Sequence, residues 1–273
     1  MPVSSVRALP RLFRLVVPAL AALALAACGR GGDGSAPLKV GATTGPHAEI
    51  LEVVKAEAAK QGLPIEVVEF TDYVQPNAAL EAGDLDANSY QHLPYLESTN
   101  ADRGTHLVSL GRTFASPIAV YSRKYPSLDA LPERARIAIP NDPTNGARSL
   151  LVLQQAGVIG LRADAGIRAG VQDIEDNPRQ LRFVELDAAQ LPRSLDDVDA
   201  AAVNTNYALE AGLDPVRESI AREATDSPYV NVFAVRAADK DRPELHRLYD
   251  IYRSEPVRQF ILERYKGALV PAW

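Results

Sequence analysis

Only one cysteine, Cys28, stands in the 273-residue sequence, so no disulfide can close within the chain and stability has to come from packing. The four histidines, His47, His92, His106 and His246, are scattered with no pair at metal-ligand spacing, and neither a CxxC nor an HExxH motif is present. A zinc or redox centre is not expected, and no metal ligand or cofactor is assigned. There is no GxSxG elbow and no Walker lysine loop, which removes common hydrolase and nucleotide-binding signatures. Basic residues are in the minority: 29 Lys and Arg against 35 Asp and Glu give a formal charge of −6, which disfavours nucleic acid as a partner. The apolar run 15–27 has 13 residues and contains Pro18, where a spanning helix needs about 20.

What is present is ordinary globular composition, 47% hydrophobic and 23% charged, on a chain long enough to divide into two lobes. Residues 1–27 have a basic start (Arg7, Arg11, Arg14), the apolar run and then small residues, the three-part layout of a secretory signal. Leu25-Ala26-Ala27-Cys28 resembles the lipobox of bacterial lipoproteins, in which the cysteine becomes the lipidated first residue of the mature chain. Cys28 is the expected lipidation site, and cleavage before it takes the formal charge to about −9 by removing the three arginines. Residues 28–37 then read as the anchor and a glycine-rich tether, which holds the folded body on the order of 17 Å from the membrane.

From residue 38 short strand patterns alternate with helical ones, which predicts an α/β fold of two lobes, each a mixed, mainly parallel sheet flanked by helices. Strands are expected at 38–42, 65–70, 106–110, 118–121, 136–139, 181–186, 200–203 and 230–235, and helices at 75–83, 94–102, 149–156, 243–253 and 257–265. Composition changes near residues 122–126 and 226–228 predict where the chain crosses between lobes. Residues 38–122 plus 227–273 would form lobe 1, and residues 123–226 lobe 2.

Asp84, Asp86 and Asn88 alternate like the start of a calcium loop, but Ser89 stands at the glycine position and Tyr95 at position twelve, so the site lacks its main ligand. Gly41-Ala42-Thr43-Thr44-Gly45, between a strand and a helix, is either a ligand-facing turn or an ordinary tight one. Tyr73, Tyr90, His92 and Tyr95 cluster in lobe 1, at or beside strand ends, where rings can line an apolar cavity or simply pack. Arg148 sits in a turn-rich stretch running into an apolar helix, and its fork suits a carboxylate; the alternative is a surface arginine paired with Asp142. An arginine kept for a ligand should add little to the empty protein's stability. Asn204, Asn206 and Asn231 interrupt apolar strands, where neutral amides can hold both ends of a zwitterion or, for Asn206 in particular, cap a helix.

At these residues the sequence resembles the methionine-binding lipoprotein family of bacterial ABC importers, through residues 72–96 (DYVQPNAALEAGDLDANSYQHLPYL), 138–154, 186–208 and 226–236. The resemblance implies a two-lobed periplasmic-binding-protein fold that closes on methionine, or a related amino acid, and delivers it to an ABC permease and ATPase. It puts Tyr73, Tyr90, His92 and Tyr95 around the thioether, Arg148 on the carboxylate, and Asn204 and Asn231, with Asn206, on the amino-acid backbone. Tyr90 departs from a phenylalanine often found there. The resemblance also implies a lipid-anchored protein in the cell envelope, facing the periplasm or cell exterior, and no enzyme. The alternative is a surface lipoprotein acting in adhesion or signalling.

Overall fold

The computed structural model describes Met1 and residues 36–224 and 226–273; the signal segment, Cys28 and most of the tether lie outside the described residues. Proline opens most of the longer helices, where its fixed φ and missing N–H cost nothing. After β1 (Leu38–Thr43), Pro46 starts α1 (Pro46–Lys60), whose buried face carries Ile50, Leu51, Val54 and Ala58. β2 (Ile65–Phe70), α2 (Gln75–Ala82), β3 (Ala87–Asn88), α3 (Leu93–Arg103) and β4 (Leu107–Ala115) complete the outgoing half of the first lobe.

The second lobe holds β5 (Ala119–Tyr121), β6 (Arg136–Pro140), α4 (Pro143–Gln155), β7 (Gly160–Leu161), β8 (Ile174–Asp176), β9 (Arg182–Leu186), α5 (Leu191–Ser194), β10 (Ala200–Val203), α6 (Thr205–Glu210) and β11 (Ala221–Arg222). The chain returns through β12 (Val230–Arg236), α7 (Pro243–Tyr252), α8 (Glu255–Tyr265) and β13 (Val270–Pro271). The first sheet has the order β13-β4-β12-β3-β1-β2 and the second β11-β5-β10-β6-β9, while β7 and β8 pair by themselves.

Parallel pairing does not predominate as expected. β1 pairs parallel with β2 and β3, and β6 with β9 and β10, but β12 runs antiparallel to β3 and β4, and β5 antiparallel to β10 and β11. The reason is topological: parallel neighbours are joined by helical crossovers within a lobe, whereas β4 and β12 carry the chain out of and back into the first lobe and so traverse one gap in opposite directions. The first crossing also falls earlier than residue 122. Ala119–Tyr121 belongs to the second sheet, so the chain leaves lobe 1 at residues 116–118 and returns between Arg222 and Val230.

One further correction bears on the site. The helix expected at 149–156 begins six residues sooner, because Asp142 accepts from Asn145 N–H as N-cap and Pro143 fills the first turn. Gly146 lies inside this helix, where a Cβ would stand 2.9 Å from the Pro140 carbonyl. Strand β4 is likewise longer than its expected 106–110, and at Gly111 a Cβ would meet the Tyr249 hydroxyl at 2.0 Å. The core of lobe 1 lies beneath α1, α7 and α8, with Phe114, Phe233 and Tyr252 buried in it. That of lobe 2 gathers Ile137, Ile139, Leu150 and Leu153. Among the described residues no helix is long and apolar enough to cross a membrane.

Candidate functional site

A pocket lined by residues of both lobes lies between them. All eight ligand-contact candidates, Tyr73, Tyr90, His92, Tyr95, Arg148, Asn204, Asn206 and Asn231, line it. Four residues that the sequence reading passed over line it as well: His47, Gln91, Ser116 and Asn145.

The aromatic wall is built on the loops after β2 and β3 and on the first turn of α3, which carries Tyr95. Tyr90 and Tyr95 both donate to the Tyr73 carbonyl at 2.9 Å, and the Tyr73 ring stands 6.0 Å from Tyr90 and 6.1 Å from Tyr95. Burial pushes the phenol pKa values up, so the hydroxyls stay protonated as donors. Behind the wall, Gln91 exchanges amide hydrogen bonds with Asn77 at 2.6 and 2.7 Å and donates to Asn88 at 3.0 Å, which fixes the loop carrying Tyr90 and His92. Asp86, one of the calcium-like residues, instead receives Lys39 N–H and Arg242 Nη1.

Each asparagine has one end of its amide held by the protein. Asp142 takes Asn145 Nδ2 at 3.0 Å, which aims Asn145 Oδ1 at the cleft. There it accepts from Asn204 Nδ2 at 2.9 Å and from His92 Nε2 at 3.1 Å, joining the two lobes. Asn204 Oδ1 is thereby left buried without a partner among the described residues. Asn206 is the mirror case: Tyr73 donates its hydroxyl to Asn206 Oδ1, and Asn206 Nδ2 is buried and unpartnered. Asn231 Nδ2 is held by His47 Nε2 at 3.0 Å. As for capping, Asn204 occupies the N-cap position of α6 without a side-chain cap bond, and Asn206 lies inside that helix.

Both cleft histidines are neutral. His92 Nδ1 accepts from Tyr95 N–H at 3.1 Å, so its proton is on Nε2. Burial, with the Arg148 charge adding to it, holds its pKa down to about 3, and burial alone holds His47 at about 3. The turn at 41–45 is a tight one: Thr44 N–H is spent on the Phe70 carbonyl at 3.0 Å, and the side chain delivered to the cavity is His47.

Arg148 is neither on the surface nor paired with Asp142. It lies in the second turn of α4, 3% exposed, with Nε 2.9 Å from both Glu223 oxygens and Nη2 on the Ser116 carbonyl at 2.7 Å and on Glu223. Its guanidinium carbon sits 4.9 Å from the Tyr229 ring centre. The cavity therefore offers tyrosine rings together with the Arg148 guanidinium, the unpartnered Asn206 Nδ2 as a donor and the unpartnered Asn204 Oδ1 as an acceptor. Such a set suits a small zwitterion with an apolar side chain. Among the described residues no group of His, Cys, Asp and Glu could hold a metal.

The family model of the NlpA lipoproteins matches residues 38–273. This chain belongs to the NlpA lipoprotein family. Within that family, the probable D-methionine-binding lipoprotein MetQ of Vibrio cholerae is 45% identical over 259 residues, covering 94% of this chain and 96% of that one. The D-methionine-binding lipoprotein MetQ of Salmonella typhimurium is 44% identical over 266 residues, covering 96% and 98%. A solved nutrient-binding protein from Burkholderia cenocepacia bound to methionine is 53% identical, with a TM-score of 0.85, covering 86% of this chain and all of that one. The two-lobed periplasmic-binding-protein fold expected from the sequence is the fold of the NlpA family structures this chain matches.

His47 and Asn145 escaped the sequence reading for a physical reason. Both act by orienting other side chains, and Asn145 does so only because α4 starts at Pro143 and brings Asp142 beneath it. The Asp-Pro pair at 142–143, a cap followed by a first-turn proline, was the signal that would have located it.

Proposed function

We propose that this protein is a solute-binding lipoprotein of the cell envelope that closes its lobes on methionine and delivers it to an ABC permease and its ATPase. The observation that carries the reading is a pair of buried, unpartnered amide ends on one aromatic-walled cavity, Asn206 Nδ2 as donor and Asn204 Oδ1 as acceptor, with the Arg148 guanidinium also lining it. The ligand carboxylate lies against the donors and its ammonium against the amide oxygens of Asn204 and Asn231. The thioether packs among Tyr73, Tyr90, His92 and Tyr95, where sulfur gains from aromatic ring edges. The methionine in the Burkholderia relative supports this choice of ligand.

No catalysis is assigned: His47 and His92 are neutral and engaged, and the protein belongs to a family of binding lipoproteins. Cys28 carries the lipid and residues 29–37 the tether, which leaves the folded body free to meet a permease on the outer side of the membrane. Isothermal titration of ligand-stripped residues 29–273 with L- and D-methionine tests the reading. Binding at micromolar or tighter affinity is expected, with a rise in melting temperature corresponding to about 2.7 kcal/mol at a hundredfold excess over Kd. Absence of both heat and melting shift would favour the adhesion or signalling alternative.

A further inference from the structure

We infer that His47 is a positioning residue: by accepting the Asn231 amide N–H it turns Asn231 Oδ1 toward the cavity, where that oxygen receives the ligand ammonium. The inference rests on the methionine-binding reading above and deepens it. His47 is 2% exposed near the start of α1. Its Nδ1 lies 2.8 Å from Thr43 Oγ1 and its Nε2 3.0 Å from Asn231 Nδ2. An amide nitrogen can only donate, so Nε2 carries the lone pair and the ring proton resides on Nδ1, facing the Thr43 hydroxyl. The ring is held against Phe114 with centroids 5.3 Å apart, and Thr43 is fully buried at the end of β1. Burial keeps the ring neutral, so Nε2 remains an acceptor at physiological pH.

The other tautomer would reverse the site. With the proton on Nε2, the ring would draw Asn231 Oδ1 to itself and turn the Asn231 NH2 into the cavity, donor against an ammonium that can only donate. The Thr43 hydroxyl can donate or accept and so pairs with Nδ1 in either form; it is the contact between His47 Nε2 and Asn231 Nδ2 that leaves Asn231 Oδ1 for the cavity. Asn204 shows the same logic by a different route, since Asn145 takes its Nδ2 and leaves Oδ1 unpartnered. Both acceptors for the ammonium are therefore set by groups that need not touch it.

The test compares methionine with its desamino analogue, which keeps the thioether chain and carboxylate but lacks the ammonium. Both are titrated into the wild type, His47→Leu, His47→Phe and His47→Gln, with ligand-free melting measured alongside. A hydrogen bond to a charged group is worth roughly tenfold to a hundredfold in binding. His47→Leu should narrow the preference for methionine over the analogue by at least about tenfold. His47→Gln, whose amide oxygen can accept the same N–H, should keep most of it, and His47→Phe, which keeps a ring but has no acceptor, should behave like His47→Leu. Equal weakening of both ligands, or no change in their ratio, would reduce His47 to packing and overturn the inference. If His47→Leu fails to fold, His47→Phe, which keeps a ring against Phe114, decides by the same ratio. A wild type that binds no methionine sinks the functional reading, whereas wild-type binding with unaltered ratios in the variants removes only His47.

Discussion

Arg148 and Glu223 form a buried ion pair at the hinge between the lobes, with side chains only 4% and 7% exposed. Glu223 also accepts from the Ile118 N–H at 3.2 Å, and Arg148 binds the Ser116 carbonyl, so one arginine touches both chain crossings as well as the cavity. Its Nε and Nη2 hold the hinge.

This arrangement overturns the expectation that the empty protein is indifferent to Arg148. Arg148→Ala would strand Glu223 in the interior, and breaking a buried pair costs about 3 to 5 kcal/mol. Ligand-free stability should fall by that amount in urea unfolding, and methionine affinity should drop roughly thirtyfold or more. Glu223→Gln, which keeps an acceptor oxygen, should lose less stability than Arg148→Ala. An alanine variant as stable as the wild type would show that the pair contributes nothing net.

Tyr73→Phe removes the hydroxyl that holds Asn206 Oδ1 across the cleft. The amide then turns freely, and affinity should weaken by roughly twofold to tenfold, the worth of a neutral hydrogen bond. The ring is retained, but Asn206 Oδ1 is left buried without its donor, so ligand-free stability should fall by about 1 to 3 kcal/mol, less than for Arg148→Ala. An unchanged Kd by titration would mean that Asn206 is oriented by something else.

Acid should destabilise the protein before it reaches the carboxylate range. His47 and His92 take a proton near 6.5 when unfolded but only near 3 when folded, so the unfolded chain holds more protons between those limits. Their contribution is complete above about pH 6.5 and is lost as pH falls toward 3, by up to about 1.4 kcal/mol per pH unit for each ring. Asp142, raised by burial, opposes this at the acid end. Unfolding midpoints measured from about pH 8 down to 4 should fall, and less steeply in His47→Leu. A flat profile would contradict the buried, neutral assignment.

Cys28→Ser should abolish acylation and release the protein from membranes, since a single-chain anchor is already marginal and none would remain. Mass spectrometry of the membrane-extracted wild type should find a diacylglyceryl group on Cys28. A serine variant still processed and retained in the membrane would assign the anchor elsewhere.

Local patterns carried much of this outcome. The strand runs of β2 and β10 and the helical patterns of α7 and α8 each lie within a short segment, so local period was enough to place them. The eight polar and aromatic candidates were legible for a related reason. Amides and an arginine set against apolar runs are costly in a core unless something binds them.

The tertiary structure alone decided what each of those groups has left to offer. Which end of Asn204, Asn206 or Asn231 faces the cavity depends on Asn145, Tyr73 and His47, which lie 59, 133 and 184 residues away in the chain. The partner of Arg148, 75 residues distant, could not be read from its own neighbourhood, where Asp142 was the nearer carboxylate. Sequence determined eight of the groups that line the cleft, because type and local pattern are properties of short segments. Their orientation is a property of hydrogen bonds closed between segments, and these exist only once two sheets and the crossings between them have brought the segments together.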